Sequence, residues 1–305
     1  MKHLFIINPA AGKYDRTEEY SARIKSICGA RELDYAIAVS GKAGDCRRIA
    51  AEAAARGEEL RIYACGGDGT LNEVINGVVG FENVAVTHFP CGSGNDTIKM
   101  FDQTEPFFQL ERLLDSEEAR FDLIRCNGTY SGNILSIGFD AKVGTDMARF
   151  KHLPLVSGKG AYILSILANI LRGLSEHYVI TLDSGEVIDA EQTLICICNG
   201  RWYGGGFNPV PEAEPDDGLL DVLMIKKVSV LQVAAVVGQY QKGRYADYPQ
   251  LIRHERVKKL CIRCDAPAVV NVDGEAIYTQ EAQIEIVPKA LRFFYPRGLH
   301  YERQN

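Results

Sequence analysis

The stretch "LRIYACGGDGTLNEVINGV", residues 60–78, constrains the fold most. An apolar run of strand length meets three glycines in four residues, and a helical pattern follows at once. Leu71, Val74, Ile75 and Val78 fall at i, i+3, i+4 and i+7, which predicts a helix over 70–79 with one buried stripe. A strand that turns directly into such a helix is half of a βαβ unit. Glycine serves the tight turn because it takes positive φ at no steric cost. It also lets backbone N–H groups approach an anion at the helix N-terminus. A turn alone does not account for Asp68 at the mouth of the helix, or for Asn72, Glu73 and Asn76 behind it. An aspartate repels a bare phosphate. It fits where Mg²⁺ or a substrate hydroxyl lies between them.

The same alternation recurs through the first part of the chain. "HLFII" (3–7), "DYAIAVS" (34–40), "LRIYAC" and "NVAVTHF" (83–89) read as strands, with helical patterns through Tyr20, Ile24 and Ile27 and through "AGDCRRIAAEAAARG", ending at Gly57. Such alternation implies right-handed crossovers and a mostly parallel sheet, whose ligands sit beyond the carboxyl ends of the strands. Asn8, Ser40, Gly66 and Cys91-Gly92-Ser93 all fall at or just past those ends, so four loops are expected at one edge. Two of them are again glycine turns, "NPAAGK" (8–13) and "PCGSGND" (90–96). Either could be a plain strand-to-helix turn, the second with an Asx cap; three at one edge point to a phosphate-bearing ligand. Neither the G-x-x-x-x-G-K-[ST] nor the G-x-G-x-x-G pattern occurs.

From about Phe121 the pattern changes to short alternating segments: "FDLIRC", "TYSGNILSI", "HYVITLD", "EVIDAEQTLICIC", "LLDVLMI", "KKLCIRC", "AVVNV" and "AQIEIV". These predict an antiparallel sheet or sandwich. Helical inserts are expected near 141–150, 158–173 and 229–241. The expected domains are 1–120, an α/β nucleotide-binding unit, and 121–289, a β-rich unit. The tail strand "ALRFFYP" (290–296) could join either. In "VDGEA" (272–276), Asp-Gly between alternating runs signals a type I′ hairpin. Glu275 could equally be a general base taking a proton from an attacking hydroxyl. "EPDDGLLDV" (214–222) reads as a solvated turn or as an oxygen-rich loop for a hard cation.

The totals narrow the partners. A net charge of −6 over 305 residues lacks the basic field that nucleic acid requires. Nine scattered cysteines form no disulfide framework, and the single C-x-x-C at Cys261 and Cys264 has no second pair to complete a zinc site, so reduced cytosolic thiols are expected. "MKHLFIINPAAG" is too short an apolar run for a secretory leader, and Asn8-Pro9 interrupts it. The longest helical apolar stretch, "AYILSILANIL" (161–171), falls short of the roughly 20 residues a bilayer span needs.

"GGDGTLNEVINGV" followed by "PCGSGND" resembles the diacylglycerol kinase catalytic domain family, which includes bacterial diacylglycerol kinases and sphingosine kinases. The similarity continues in "NILSIGFDAKV" (133–143), "NGRWYGGGFNPVPEAEPDDGLLDV" (199–222) and "NVDGEAI" (271–277). The resemblance implies an α/β nucleotide-binding domain like that of the NAD kinases and diacylglycerol kinases, followed by a mainly antiparallel β-sandwich domain. It implies ATP and Mg²⁺ as cofactors and a lipid hydroxyl as acceptor, most simply that of diacylglycerol. Asn8, Pro9, Ala10, Ala11, Gly12, Ser40, Gly66, Gly67, Asp68, Gly69, Thr70, Leu71, Asn72, Glu73, Gly92 and Ser93 match the family's ATP site. Asp68, Asp96 and Glu275 match its catalytic acids, with Glu275 as base. Asn95, Asp96 and Asp140 match positions near the lipid, and Asp217, the Leu219 carbonyl and Glu214 match a structural Mg²⁺ site. The family usually continues Asn-Asp as Phe-Ala-Arg. Here the residues are Thr97, Ile98 and Lys99, which touches acceptor preference. Pro215 is also unusual and bears on the metal geometry.

The lipid kinase reading implies work at the inner membrane face without a span, in the cytoplasm; a homodimer is only the general default for soluble oligomers. Two other functions compete. A NAD kinase-like enzyme would take a soluble acceptor, but "PCGSGND" and "WYGGGF" favour the lipid branch. A non-catalytic nucleotide-binding regulator would have lost the acids, yet Asp68, Asp96 and Glu275 are all present.

Overall fold

A computed structural model describes residues 1–92, 94–150, 164–170 and 173–301. Ser93 and half of the helical insert expected at 158–173 therefore lie outside the described residues. The first part is built from β1 (Lys2–Ile7), α1 (Thr17–Ala30), β2 (Tyr35–Val39), α2 (Asp45–Ala54), β3 (Leu60–Gly66), α3 (Asp68–Val78) and β4 (Val84–Pro90). The four strands pair in parallel in the order β2-β1-β3-β4. The predicted stripe of α3 is its buried face: Leu71, Val74, Ile75 and Val78 are all at most 4% exposed. The helix starts two residues earlier than the periodicity indicates, because the acid of Asp68 suits a first turn.

After α4 (Leu110–Leu114), the chain continues as β5 (Ser116–Cys126), β6 (Thr129–Ser131), β7 (Ile134–Gly138), α5 (Phe139–Phe150) and α6 (164–170). Then come β8 (Glu176–Leu182), β9 (Val187–Cys198), β10 (Leu220–Lys226), α7 (Val230–Tyr240), β11 (Ile252–Val257), β12 (Lys259–Val272) and β13 (Glu275–Pro296). Here every strand pairing is antiparallel except one residue of β13 beside β4. Strand alternation splits the packing. Along β9, Ile195 and Ile197 enter one apolar cluster, whereas Leu194, Cys196 and Cys198 enter another on the opposite face. All nine cysteines are free thiols.

Two long strands differ from the sequence expectation. "KKLCIRC" and "AVVNV" are one strand, β12, which runs through Pro267 with a register shift between Arg263 and Ala268. "AQIEIV" and "ALRFFYP" likewise join in β13, which passes Pro288 with a shift between Val287 and Leu291. Proline and irregular pairing are compatible at a bulge, so these prolines interrupt the ladder without ending the strand. The far end of β13 pairs with β5 and, at Phe293, with Val86 of β4. Phe293 and Phe294 pack there with the core of the parallel strands. β11, "IRHERV", has weak alternation and was not expected as a strand.

Asn76 joins the two parts. Its Nδ2 donates to the Tyr130 carbonyl at 2.8 Å, and its Oδ1 accepts from the Tyr130 N–H at 2.9 Å. Asn72, 1% exposed, reaches the Val272 carbonyl at 3.5 Å. Asn76→Ala leaves two Tyr130 backbone groups without these partners. Such a loss costs about 1–3 kcal/mol. Urea unfolding should show that drop, and an unchanged midpoint would refute the clamp.

Candidate active site

The carboxyl ends of β1, β3 and β4 meet through their backbones. The N–H groups of Cys91 and Gly92 donate to the Gly66 carbonyl at 2.7 and 3.2 Å. His88 Nε2 lies 3.0 Å from the same oxygen. Because a carbonyl only accepts, Nε2 carries the proton. Complete burial holds this imidazole below its ordinary pKa and so neutral. A Cβ on Gly92 would lie 2.6 Å from the Gly67 Cα, and one on Gly12 would lie 2.6 Å from the Cys91 carbonyl oxygen. These two glycines permit an approach that no other residue allows. Asn8 closes the group: its Oδ1 accepts from the Ala10 N–H at 3.0 Å, and its Nδ2 donates to Thr70 Oγ1 at 2.9 Å. The Ala11 N–H bonds the Asn8 carbonyl at 3.1 Å, so Pro9, Ala10 and Ala11 form a tight turn beside the loop. Ser40, 7% exposed, stands beside β1, its N–H on the Ile7 carbonyl at 2.9 Å.

Two carboxylates face this cradle. Asp68 Oδ1 accepts from the Thr97 N–H and hydroxyl at 3.1 and 3.2 Å. Asp96 Oδ1 accepts from Lys99 Nζ at 2.5 Å, and its Oδ2 accepts from the Gly205 N–H at 2.7 Å. The remaining oxygen of Asp68 and Oδ2 of Asp96 flank Gly94, 3.0 and 3.6 Å from where a Cβ would stand. Thr97 and Lys99, two of the residues that depart from the family pattern, thus orient the two acids, while Ile98 is core at 1% exposure. Asn95 takes φ 48° and donates to the Gly92 carbonyl at 3.0 Å, while its Oδ1 is buried with no hydrogen-bond partner among the described residues. A cradle of close glycines with an unsatisfied buried oxygen and two nearby acids fits a phosphate ligand with its counter-cation.

Not every expected residue faces this space. Leu71 is core. Asn72 ties α3 to β12. Glu73 accepts from the Gly44 and Cys46 N–H groups at 3.0 and 3.1 Å, so it caps α2 instead of reaching the cradle. All three lie one turn behind the helix mouth, where tertiary neighbours claim them.

"VDGEA" is a hairpin and more. Asp273 and Gly274 take φ 47° and 94°, closing β12 onto β13 as the type I′ reading requires. The Asp273 carboxylate accepts from the N–H groups of Gly132, Asn133 and Ile134 at 2.8, 3.2 and 2.9 Å. Burial, the strongest influence, pushes its carboxyl up to about 6 against those bonds. The sequence reading missed this role, because its only signal was an aspartate in a turn. A small cavity beside it is lined by Asp68, Asn72, Thr97, Gly132 and Asp273. Glu275 follows on the exposed side of the hairpin. Desolvation and then the Glu73 carboxylate hold its carboxyl above the ordinary value, while Arg47 pulls it down.

Asp140 opens α5. Its Oδ2 accepts from the Tyr203 hydroxyl at 3.0 Å, and the Tyr203 hydroxyl itself lies 3.2 Å from the Tyr240 hydroxyl. Burial pushes this carboxyl up to about 6 as well. The two tyrosines are neighbours of Asp140 that sequence spacing could not reveal.

Asp217 and Leu219, expected at a structural Mg²⁺ site, bond to protein groups. Asp217 Oδ1 accepts from the Leu219 N–H at 2.9 Å, and the Arg256 guanidinium donates to Oδ2. Arg256 thus balances the charge of the Asp217 carboxylate, and Leu219 meets that carboxylate through its N–H. Burial raises the Asp217 carboxyl, and the nearby Asp221 and Glu214 carboxylates add to that shift. Among the described residues no three His, Cys, Asp or Glu side chains gather as metal ligands. The loop is instead a joint: Asp122 accepts from the N–H groups of Gly218 and Lys289, both at 2.7 Å.

The model of the diacylglycerol kinase catalytic domain matches residues 2–126, and that of the YegS C-terminal NAD kinase beta sandwich-like domain matches residues 133–295. A diacylglycerol kinase of Mycobacterium tuberculosis (strain ATCC 25618 / H37Rv) is 29% identical over 306 residues, covering 96% of this chain and 94% of that protein. The crystal structure of a diacylglycerol kinase from Bacillus anthracis str. Sterne superposes with a TM-score of 0.71 at 21% identity, covering 97% of each chain. A second structure from that organism reaches 0.77 at 24% identity over 98% of each chain. These two show the shared fold. With both family domains matched in order along one chain, over residues 2–126 and 133–295, the protein belongs to the diacylglycerol kinase catalytic domain family.

Proposed function

We propose that this protein is an ATP- and Mg²⁺-dependent lipid kinase that phosphorylates a lipid hydroxyl, with diacylglycerol giving phosphatidic acid. The observation that carries the reading is the backbone convergence of Gly12, Gly67 and Gly92 at the mouth of α3, beside Asp68 and Asp96. ATP phosphates would lie against those loops, with Asn8, Thr70 and Asn95 as polar contacts. Asp68 and Asp96 are the acids that would hold Mg²⁺, which supplies charge neutralisation on the transferring phosphoryl group. Lys99 and the Gly205 N–H keep the Asp96 carboxylate oriented, so the acid costs little reorganisation during reaction.

Glu275 takes the proton of the acceptor hydroxyl. The new O–P bond forms as the bond from the γ-phosphorus to the bridging oxygen breaks, and ADP leaves. Asp140, held by Tyr203, is the acid placed for the lipid head group. The enzyme would act at the inner face of a membrane; no helix among the described residues is long and apolar enough to cross one.

The test is phosphoryl transfer from radiolabelled ATP with Mg²⁺ to detergent-dispersed diacylglycerol, a sphingoid base, a monoacylglycerol and NAD. Label in phosphatidic acid is the expected result. Label in NAD alone would refute a lipid acceptor, and label in another lipid would refute diacylglycerol while keeping the reaction class.

A further inference from the structure

α7 presents an uncharged, largely aliphatic face to solvent. Its eleven residues, VLQVAAVVGQY, include no charge, and Tyr240 is the only one buried. Leu231 is 83% exposed, Val230 46% and Val237 44%. A capping box between Ser229 and Gln232 fixes its start, so the apolar surface is presented on a formed helix. The helix is about 16 Å long, far short of a bilayer's hydrocarbon core.

Charge says what covers it. The chain carries −6 overall. Within four residues of either end of α7, however, every charged residue is basic: Lys226 and Lys227 before it, Lys242 and Arg244 after it. Lys227 meets Glu191 and Arg244 meets Asp247, both at 2.7 Å. All four of these side chains are exposed, and pairs of that kind are weak and exchange readily. An aliphatic surface without hydrogen-bonding groups, bracketed by cations, matches the boundary between acyl chains and anionic head groups. A protein partner would favour aromatic and arginine anchors within the patch.

We infer that α7 is the docking element for an anionic lipid bilayer, its aliphatic face entering the acyl boundary while the flanking cations meet lipid phosphates. The inference rests on the lipid kinase reading for its purpose. The helix is also tied to the candidate site. The Tyr240 hydroxyl reaches Tyr203 and so Asp140. The Gln241 carbonyl accepts from the Asn208 N–H at 3.0 Å, and Gln241 Nε2 bonds the Gly206 carbonyl at 3.3 Å. The same glycine run bonds Asp96 through Gly205. Docking α7 therefore brings Asp96 and Asp140 toward the surface that holds the acceptor.

Flotation of the full chain with phosphatidylcholine vesicles containing about one-third phosphatidylglycerol tests it, since anionic lipid supplies the attraction. Wild type should float, and more salt should release it. The double variant Leu231→Glu, Val237→Glu should bind at least about tenfold less, because two exposed aliphatic side chains that enter the acyl boundary on docking are replaced by charge. Lys226→Gln, Lys227→Gln and Lys242→Gln together should remove the preference for the anionic lipid. Turnover of a short-chain diacylglycerol in aqueous solution should be unchanged in the double variant, while turnover of vesicle-borne acceptor falls.

Wild-type protein that does not float would overturn the inference. So would a double variant that floats normally, or one that loses both activities equally. A wild-type dimer that this variant converts to monomer, with vesicle binding intact, would assign the face to a second copy and overturn it too. Flotation needs no turnover, so α7-dependent binding without lipid phosphorylation would support the docking face and remove the kinase reading.

Discussion

Gly92→Ala is expected to lower kcat/KM for ATP by about a hundredfold or more, the penalty associated with roughly 1 Å of misplacement at a reacting centre. The added methyl would sit 2.6 Å from the Gly67 Cα and 3.0 Å from Asn95 Oδ1. The first of these is backbone, so no rotamer change relieves it. Gly67 immediately precedes Asp68, and Asp68 opens α3. Separating the two loops therefore moves a candidate catalytic carboxylate together with the cradle. Overpacking of this kind costs about 1–3 kcal/mol, less than a domain's usual stability, so a folded variant should be obtained. Steady-state kinetics beside a thermal melt separates the two effects. A folded Gly92→Ala protein with wild-type kcat/KM would show that the close approach has no part in catalysis.

Glu275→Gln is expected to reduce kcat by about 10²–10⁴-fold, the range typical of a removed general base. Its exposed position makes a loss of folding an unnecessary explanation. The pH profile adds a sharper signature. A base works only when ionised, and desolvation together with the Glu73 carboxylate raises the Glu275 carboxyl above 4.5. Wild-type kcat should therefore rise with pH through a limb lying above the ordinary carboxylate range. Arg47 pulls in the opposite direction, so Arg47→Ala should move that limb to higher pH. Glu73→Gln removes the raising charge and should move it lower. A limb unmoved by either substitution, or a Glu275→Gln enzyme with near-normal kcat, would assign the proton transfer to another group.

Much of the architecture was readable locally. Hydrophobic period distinguishes the helices of the first part from the strands of the second, because 3.6-residue and two-residue repeats place apolar side chains on one face of each element. Glycine at the ends of β3 and β4 likewise marked the cradle, since close backbone approach leaves few other choices. The segments of β12 and of β13 read as separate strands because each alternation is interrupted where a register shift carries the strand past a proline.

Short windows of the chain carry the βαβ order, the strand-end loops, the Asp273-Gly274 turn and the positions of Asp68, Asp96 and Glu275. Packing between distant elements sets which acids face the cradle and which bond elsewhere. Glu73 became a cap because α2 packs beside α3. Asp273 became a clamp because its hairpin folds over Gly132 to Ile134. Asp217 met Arg256 because β10 and β11 pair in register next to its loop. A carboxylate's role depends on the cations and N–H groups that reach it, and those arrive from elements far away along the chain. Local composition carries no record of that distance.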